Sequence, residues 1–312
     1  MWRPRGAGEV AQAGPPRRRA SCAWLPGRRH GCQTHLALEF RAEEVFSVIS
    51  VADVVDLDRY PVDRLDSPAG QDLVARCRRD LAAAGASVLD GFIRPAAVAA
   101  VVDWAMTAMP KAYRTEAEHN VYFTDADPGL PVGDPHRIRV RSAKGALTYD
   151  QIPPGSPLRV AYESAGLTAF AGAALGRDVL YRHADKLGAL NVMYYSQGDE
   201  HGWHFDGADF VVTLMLQAPL AGGQFEYVPM LRSADDENQE GVRRLLQGDR
   251  SGLRAMSGAA GTLTLFRGHL SPHHVTTVTG ARPRINAVLS YAPAPGARLS
   301  DHTKQLFYGR TS

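Results

Sequence analysis

The chain has 312 residues, 45% of them hydrophobic, and a net charge of +2. That length and apolar content support one sizeable core, or at most two modest domains, and exclude an acidic disordered chain. The charge is uneven: residues 1–40 hold seven Arg and two acidic residues (Glu9, Glu39), a balance of +5 that leaves −3 for the rest. The excess of cations is therefore local, and the remainder of the chain carries no polyanion-binding signature.

Residues 1–45 are rich in Arg, Pro, Gly and Ala and lack periodicity, so they read as a disordered basic extension. They show no continuous apolar segment of the kind a secretory signal needs. The Arg-rich, acid-poor composition fits a transit peptide, but the prolines oppose a helix, and a solvated tail or an over-extended gene start is the simpler reading. Three cysteines (Cys22, Cys32, Cys77) make no disulfide framework. Cys22 and Cys32 interleave with His30 and His35 at a spacing that matches no common zinc pattern. No apolar run approaches the ~20 residues of a membrane helix. The expectation is a cytoplasmic protein without a membrane or nucleic-acid partner.

Two helices are predicted first. "DSPAGQDLVARCRRDLAAAGA" offers Ser67 as a cap, Pro68 at the first helical position and Gly85 at the stop, with Leu73, Val74, Cys77 and Leu81 as an apolar stripe. A short strand, "SVLDGF", follows. "RPAAVAAVVDWAMTAMPKAY" then opens on Pro and puts Val98, Val101, Val102, Ala105 and Met109 on one side. The polar, aromatic "YRTEAEHNVYF" suits a lid. From about residue 190 strand-like runs alternate with Gly-rich turns: "ALNVMYYSQG", "FVVTLMLQAP", "GGQFEYVPML", "GTLTLFRG", "HHVTTVTG" and "RINAVLSYA". One polar helix, "DENQEGVRRLLQG", interrupts them. The expected fold is α+β, with a helical front part over 60–185 and a jelly-roll core over 186–312, within a single domain spanning 46–312.

The stretch "HGWHFD" (201–206) stands between two of those strands. In an extended chain residues i and i+2 share a side, so His204 and Asp206 present an imidazole and a carboxylate to one point while Phe205 faces the packing. Two ligands from one strand cover two corners of a coordination sphere. A third from a distant strand would complete a face and leave the opposite face open, the arrangement that suits non-haem Fe(II). A second tripeptide of this form, His183-Ala184-Asp185, sits in a turn without aromatic packing, and context favours 204/206. The third ligand should come from His269, His273 or His274, the other two serving at the surface or behind the ligands.

The order Tyr195…Gly198, His204…Asp206, "GTLTLFRG", "HHVTTV" and "GARPRIN" resembles the Fe(II)/2-oxoglutarate-dependent oxygenases. The resemblance implies a double-stranded β-helix (jelly roll, cupin-like) core with N-terminal helices packed on it. It implies Fe(II) held by His204, Asp206 and His273, with Val275 and Val278 packed inward and His274 pointing away. It also implies 2-oxoglutarate as cosubstrate, its far carboxylate gripped by Arg284 or Arg282. Arg284 is preferred because "RIN" mirrors the family's Arg-x-Ser, with Asn286 in place of Ser; a guanidinium can hold a carboxylate by two parallel bonds. Tyr195 would donate its hydroxyl to the same carboxylate.

Beyond the core, "SAKGALTYDQIP", "LGALNVMYYSQG", "GWHFDGADFVVTLMLQAP", "GGQFEYVPMLRS" and "LFYGR" are similar to the branch of halogenases and hydroxylases that act on free amino acids, over roughly residues 50–312. Halogenases of that branch have Gly or Ala where this chain keeps Asp206, so the resemblance implies hydroxylation, with O2 and an amino-acid-like small molecule as partners. It suggests Arg141 for the substrate carboxylate, with Ser290 and His201 nearby; their plainer readings are a surface cation, a core hydroxyl and a solvated loop residue. Rival readings are a cupin-like metal-binding protein without turnover and an oxygenase acting on a carrier-bound or macromolecular substrate.

Overall fold

Ser67 and Gly85 bracket the first long helix as the sequence predicts. In the computed structural model, which describes residues 49–125 and 127–312, helix α2 (Pro68–Ala84) starts with the Ser67 hydroxyl accepting from Gly70 N–H and ends at Gly85 in the left-handed conformation. The readings made for residues 1–45 lie outside the described residues. A one-turn helix, α1 (Val51–Val54), precedes α2. Helix α3 (Pro95–Ala108) opens on its proline, as expected. The remaining helices are α4 (Pro157–Glu163), α5 (Ala165–Leu175), α6 (Gln239–Leu246) and α7 (Asp301–Tyr308).

The strands are β1 (Ala86–Leu89), β2 (Tyr113–His119), β3 (Val140–Leu147), β4 (Tyr181–Arg182), β5 (Leu190–Tyr195), β6 (Glu200–His204), β7 (Val211–Gln217) and β8 (Ala221–Gly222). They continue with β9 (Phe225–Tyr227), β10 (Arg254–Ala255), β11 (Leu263–Phe266), β12 (His273–Val275), β13 (Val278–Thr279), β14 (Arg284–Leu289) and β15 (Tyr291–Ala292). Eleven of them form one curled antiparallel sheet, ordered β1-β11-β7-β14-β5-β3-β6-β12-β9-β10 with β2 on β3. The fold is α+β, with a double-stranded β-helix core and helices packed on it.

One boundary differs from expectation. The front part is not purely helical: β1 closes one edge on β11, and β3 lies between β5 and β6 inside the core sheet. Its partner β2 is mostly exposed and highly charged, so it carries no apolar alternation for a sequence reading to detect.

Period-2 alternation divides the sheet's faces. On β14, Ile285, Ala287 and Leu289 join Val212, Leu214 and Leu216 of β7 in the core that takes Leu73, Cys77 and Leu81 of α2 and Val98, Val101 and Ala105 of α3. Arg284 and Asn286 occupy the other face, inside the curl. Helix α6 covers a smaller cluster of Val121, Trp203, Phe205, Val228, Val242 and Leu245. Among the described residues no helix is long and apolar enough to cross a membrane.

Candidate metal centre

His204 ends β6 and His273 begins β12, and the two are directly opposite in the register of this strand pair. Asp206 lies just past the end of β6, where its N–H donates to Gly268 O at 3.1 Å. One ligand atom from each of His204, Asp206 and His273 lies within 4.8 Å of the others. Asp206 Oδ1 is 3.9 Å from His204 Nε2 and 3.5 Å from His273 Nε2.

The orientation of each imidazole is set by the backbone. His204 Nδ1 donates to Gly202 O at 2.8 Å, and His273 Nδ1 donates to Ser271 O at 3.0 Å. Both rings therefore turn Nε2 toward Asp206, the tautomer that a metal ligand needs. Burial, followed by the charge of His273, holds the His204 pKa well below the ordinary imidazole range, so its nitrogen is free to bind a cation. Asp206 Oδ2 is buried without a hydrogen-bond partner among the described residues. With Oδ1 facing the two imidazole nitrogens and Oδ2 left over, the group is a donor set that a divalent cation satisfies. Two His and one carboxylate on one side suit ferrous iron.

The ligands are backed by a second tier. Phe225 stacks on His273 with ring centroids 5.2 Å apart, and Phe266 meets the same ring edge-on at 4.9 Å. His269 Nδ1 donates to Asp206 O at 3.2 Å, while Arg232 Nε donates to His269 O at 2.6 Å. Arg232 also lies over the Phe205 ring at 4.0 Å. His274 faces away, 2.8 Å from Glu226 Oε2 and stacked on Trp203. Gly268 is required by space: a Cβ there would collide with the Asp206 carboxylate. Gly268→Ala is expected to keep the fold and weaken Fe(II) affinity by about 10- to 100-fold. Anaerobic metal titration of the purified variant checks this.

Arg284 is 8% exposed, and its Nη1 donates to Asn286 Oδ1. Its guanidinium carbon lies 5.4 Å from the ring centroid of Tyr195, its cross-strand partner. Among the described residues no carboxylate pairs with Arg284, and burial lowers its pKa. It faces a 30 Å³ void shared with Asn286, Phe225 and Phe266, and a 240 Å³ cleft beside Met215 and Phe225. A buried, unmatched guanidinium on the same aromatic wall as His273 fits the distal carboxylate of 2-oxoglutarate. Fe(II) and 2-oxoglutarate are thus the cofactors whose chemistry these groups match. Arg282, by contrast, is exposed in the turn before β14 and donates to Pro219 O. Strand alternation does not extend to it, and it does not share the Arg284 face.

A cavity of about 1000 Å³ opens on the other side of the triad. His119, Phe123, Ser142, Lys144, His201 and Phe307 are among its walls. His201 lies on β6 rather than in a loop, with its ring stacked on His204 at 3.9 Å between centroids. Two expected residues are not brought here. Arg141 projects from the opposite face of β3 to Ser142 and Lys144, held by Glu116 at 2.9 Å, Glu200 at 3.3 Å and Gly198 O at 3.0 Å. Ser290 lies six residues beyond Arg284, roughly 20 Å along an extended strand. Its carbonyl is fixed by Tyr162 OH at 2.9 Å, and it does not line the cavity. Lys144 also lines the cavity; its only signal in the sequence is its place two positions after Ser142 on the same strand.

A double-stranded β-helix carrying His-x-Asp and a distal His around one point defines the Fe(II)/2-oxoglutarate oxygenase superfamily, and the chain is a member of it. The family model described as Halogenase D matches residues 147–305. The chain belongs to the Halogenase D family. No curated protein matches it.

Solved structures give distant likenesses. A 2OG-Fe(II) oxygenase family oxidoreductase from Burkholderia pseudomallei is 18% identical, with a TM-score of 0.43, over 72% of this chain and 92% of that one. AviO1 from Streptomyces viridochromogenes is 16% identical, with a TM-score of 0.48, over 72% and 97%. EctD from S. alaskensis, solved with 2-oxoglutarate and 5-hydroxyectoine, is 23% identical, with a TM-score of 0.45, over 70% and 75%. The reading of the site rests on its own geometry.

Proposed function

We propose that the protein is an Fe(II)/2-oxoglutarate-dependent dioxygenase that hydroxylates an unactivated carbon of a free amino acid or a similar small molecule, releasing succinate and CO2. The observation that carries this reading is the convergence of His204, Asp206 and His273, with Asp206 Oδ2 buried and unpartnered. When bound, iron and 2-oxoglutarate supply the oxidising power drawn from O2. The chain's own residues supply position. His204 and His273 present Nε2, and Asp206 adds a carboxylate oxygen. Arg284, with Asn286 beside it and the Tyr195 hydroxyl near, anchors the distal carboxylate of the cosubstrate. Phe123 and Phe307 make part of the cavity wall apolar, which keeps water from the reacting carbon.

The family's descriptive name points to halogenation. Asp206 supports hydroxylation instead, because a carboxylate ligand fills the corner that a halide would need. The test loads the protein anaerobically with Fe(II) and 2-oxoglutarate, then adds O2, chloride and a panel of free amino acids. Succinate formation that depends on the added amino acid, with a product heavier by one oxygen atom, is the expected result. A chlorinated product would overturn the hydroxylase reading, and metal binding with no succinate would favour a binding protein.

A further inference from the structure

Lys144 is a part-buried cation on the cavity wall, and among the described residues the carboxylate whose charge acts on it is that of Asp206. Its Nζ donates to His201 Nε2 at 3.0 Å and lies 5.8 Å from the ring centroid of Phe307. Among the described residues no carboxylate forms an ion pair with it, whereas Arg141, three residues earlier on the same strand, holds two. The neighbouring polar groups are already matched. His119 Nδ1 donates to Asn120 O at 2.8 Å, so its Nε2 accepts from Ser142 Oγ at 2.6 Å. Ser142 Oγ in turn accepts from Gly202 N–H at 3.0 Å. Lys144 Nζ also lies 3.4 Å from His201 Nδ1. What lacks a directly paired anion is the ammonium itself, and a part-buried charge of that kind calls for a counter-charge.

We infer that Lys144, assisted by His201, anchors a carboxylate of the substrate, and that the oxidised carbon lies within a short chain of that carboxylate. The inference deepens the oxygenase reading and rests on it. The second part follows from the stacking of His201 on His204: only one imidazole separates the anchor from the metal corner. Burial lowers the Lys144 pKa to about 8, so at neutral pH most molecules carry the charge. The cavity thus selects small carboxylic acids and rejects the corresponding amides and decarboxylated amines.

The test measures binding by calorimetry on the full chain loaded anaerobically with Fe(II) and 2-oxoglutarate. The probes are free amino acids, their primary amides and their decarboxylated amines. At least one acid is expected to bind, with its amide weaker by about 10- to 100-fold, the range for a lost charge-assisted hydrogen bond. Lys144→Met should erase that preference and Lys144→Arg should retain much of it. Acid and amide binding alike to the unaltered protein, no acid binding at all, or an undiminished preference in Lys144→Met would each overturn the assignment. Acid-selective binding without oxygen-dependent turnover would support the anchor and count against the oxygenase reading alone.

Discussion

Asp206→Gly is expected to lower substrate-coupled succinate formation by at least about 100-fold. Partners behind metal ligands typically cost 10- to 100-fold on removal, and a ligand sets the lower bound at the top of that range. The loss has two causes. In the proposed centre the carboxylate closes the triad and cancels part of the cation's charge, and among the described residues its Oδ2 has no hydrogen-bond partner that could keep it in place for a different purpose. The variant should fold, because glycine removes an unmatched buried oxygen rather than a packed side chain, and the backbone bond from residue 206 to Gly268 O does not involve the side chain. Adding chloride need not produce a halogenated product, since substrate placement also selects the outcome. Fe(II) titration together with succinate and product mass checks the prediction. Retention of full activity would remove Asp206 from the metal centre.

Arg284→Met carries the second large effect, with opposite signs on binding and stability. Breaking one side of a buried ion pair costs about 3–5 kcal/mol. The apparent affinity for 2-oxoglutarate should therefore fall by roughly two orders of magnitude or more. In the free protein the guanidinium is buried beside Tyr195 with Asn286 as its only hydrogen-bond partner among the described residues. Its charge is then a liability, and methionine of similar length relieves it. Without cosubstrate the variant should melt no lower than the original protein. Saturating 2-oxoglutarate should stabilise the original by about 2.7 kcal/mol at a hundredfold excess over its dissociation constant, and the variant far less. Thermal melts with and without 2-oxoglutarate measure both. An equal ligand-induced shift in the two proteins would place the cosubstrate's far end elsewhere.

The parts of this molecule that sequence made readable were local or periodic. Ser67 and Gly85 mark α2 because capping chemistry acts within one turn. His204 and Asp206 could be paired because extended chain alternates, and Phe205 packs the other way, stacked on Tyr122 at 5.6 Å between centroids. His273 needed the resemblance as well, since three histidines crowd that stretch.

Long-range registry is not encoded locally. Which side of β3 faces the cavity is fixed by the pairing of Ser142 with His201, which no local pattern encodes; hence Lys144 lies on the cavity side and Arg141, the expected residue, does not. Ser290, which the resemblance suggests near the substrate, lies just past the end of β14 and away from the cavity. Helix α7, capped by Ser300 and ended by left-handed Gly309, has a legible start and stop, yet its place on the cavity depends on contacts far along the chain.

Helix α7 also gives the rejected tripeptide a purpose. Asp185 accepts from the N–H groups of Leu187, Gly188 and Leu299 and lies 3.7 Å from Lys304 Nζ. Tyr308 bonds Asn191, and Arg310 reaches Asp150. Leu299, His302, Thr303, Leu306 and Phe307 thereby roof the chamber from outside the barrel. This helix contributes none of the triad and neither Lys144 nor His201, so exchanging its side chains should change which molecules enter while those five side chains stay in place.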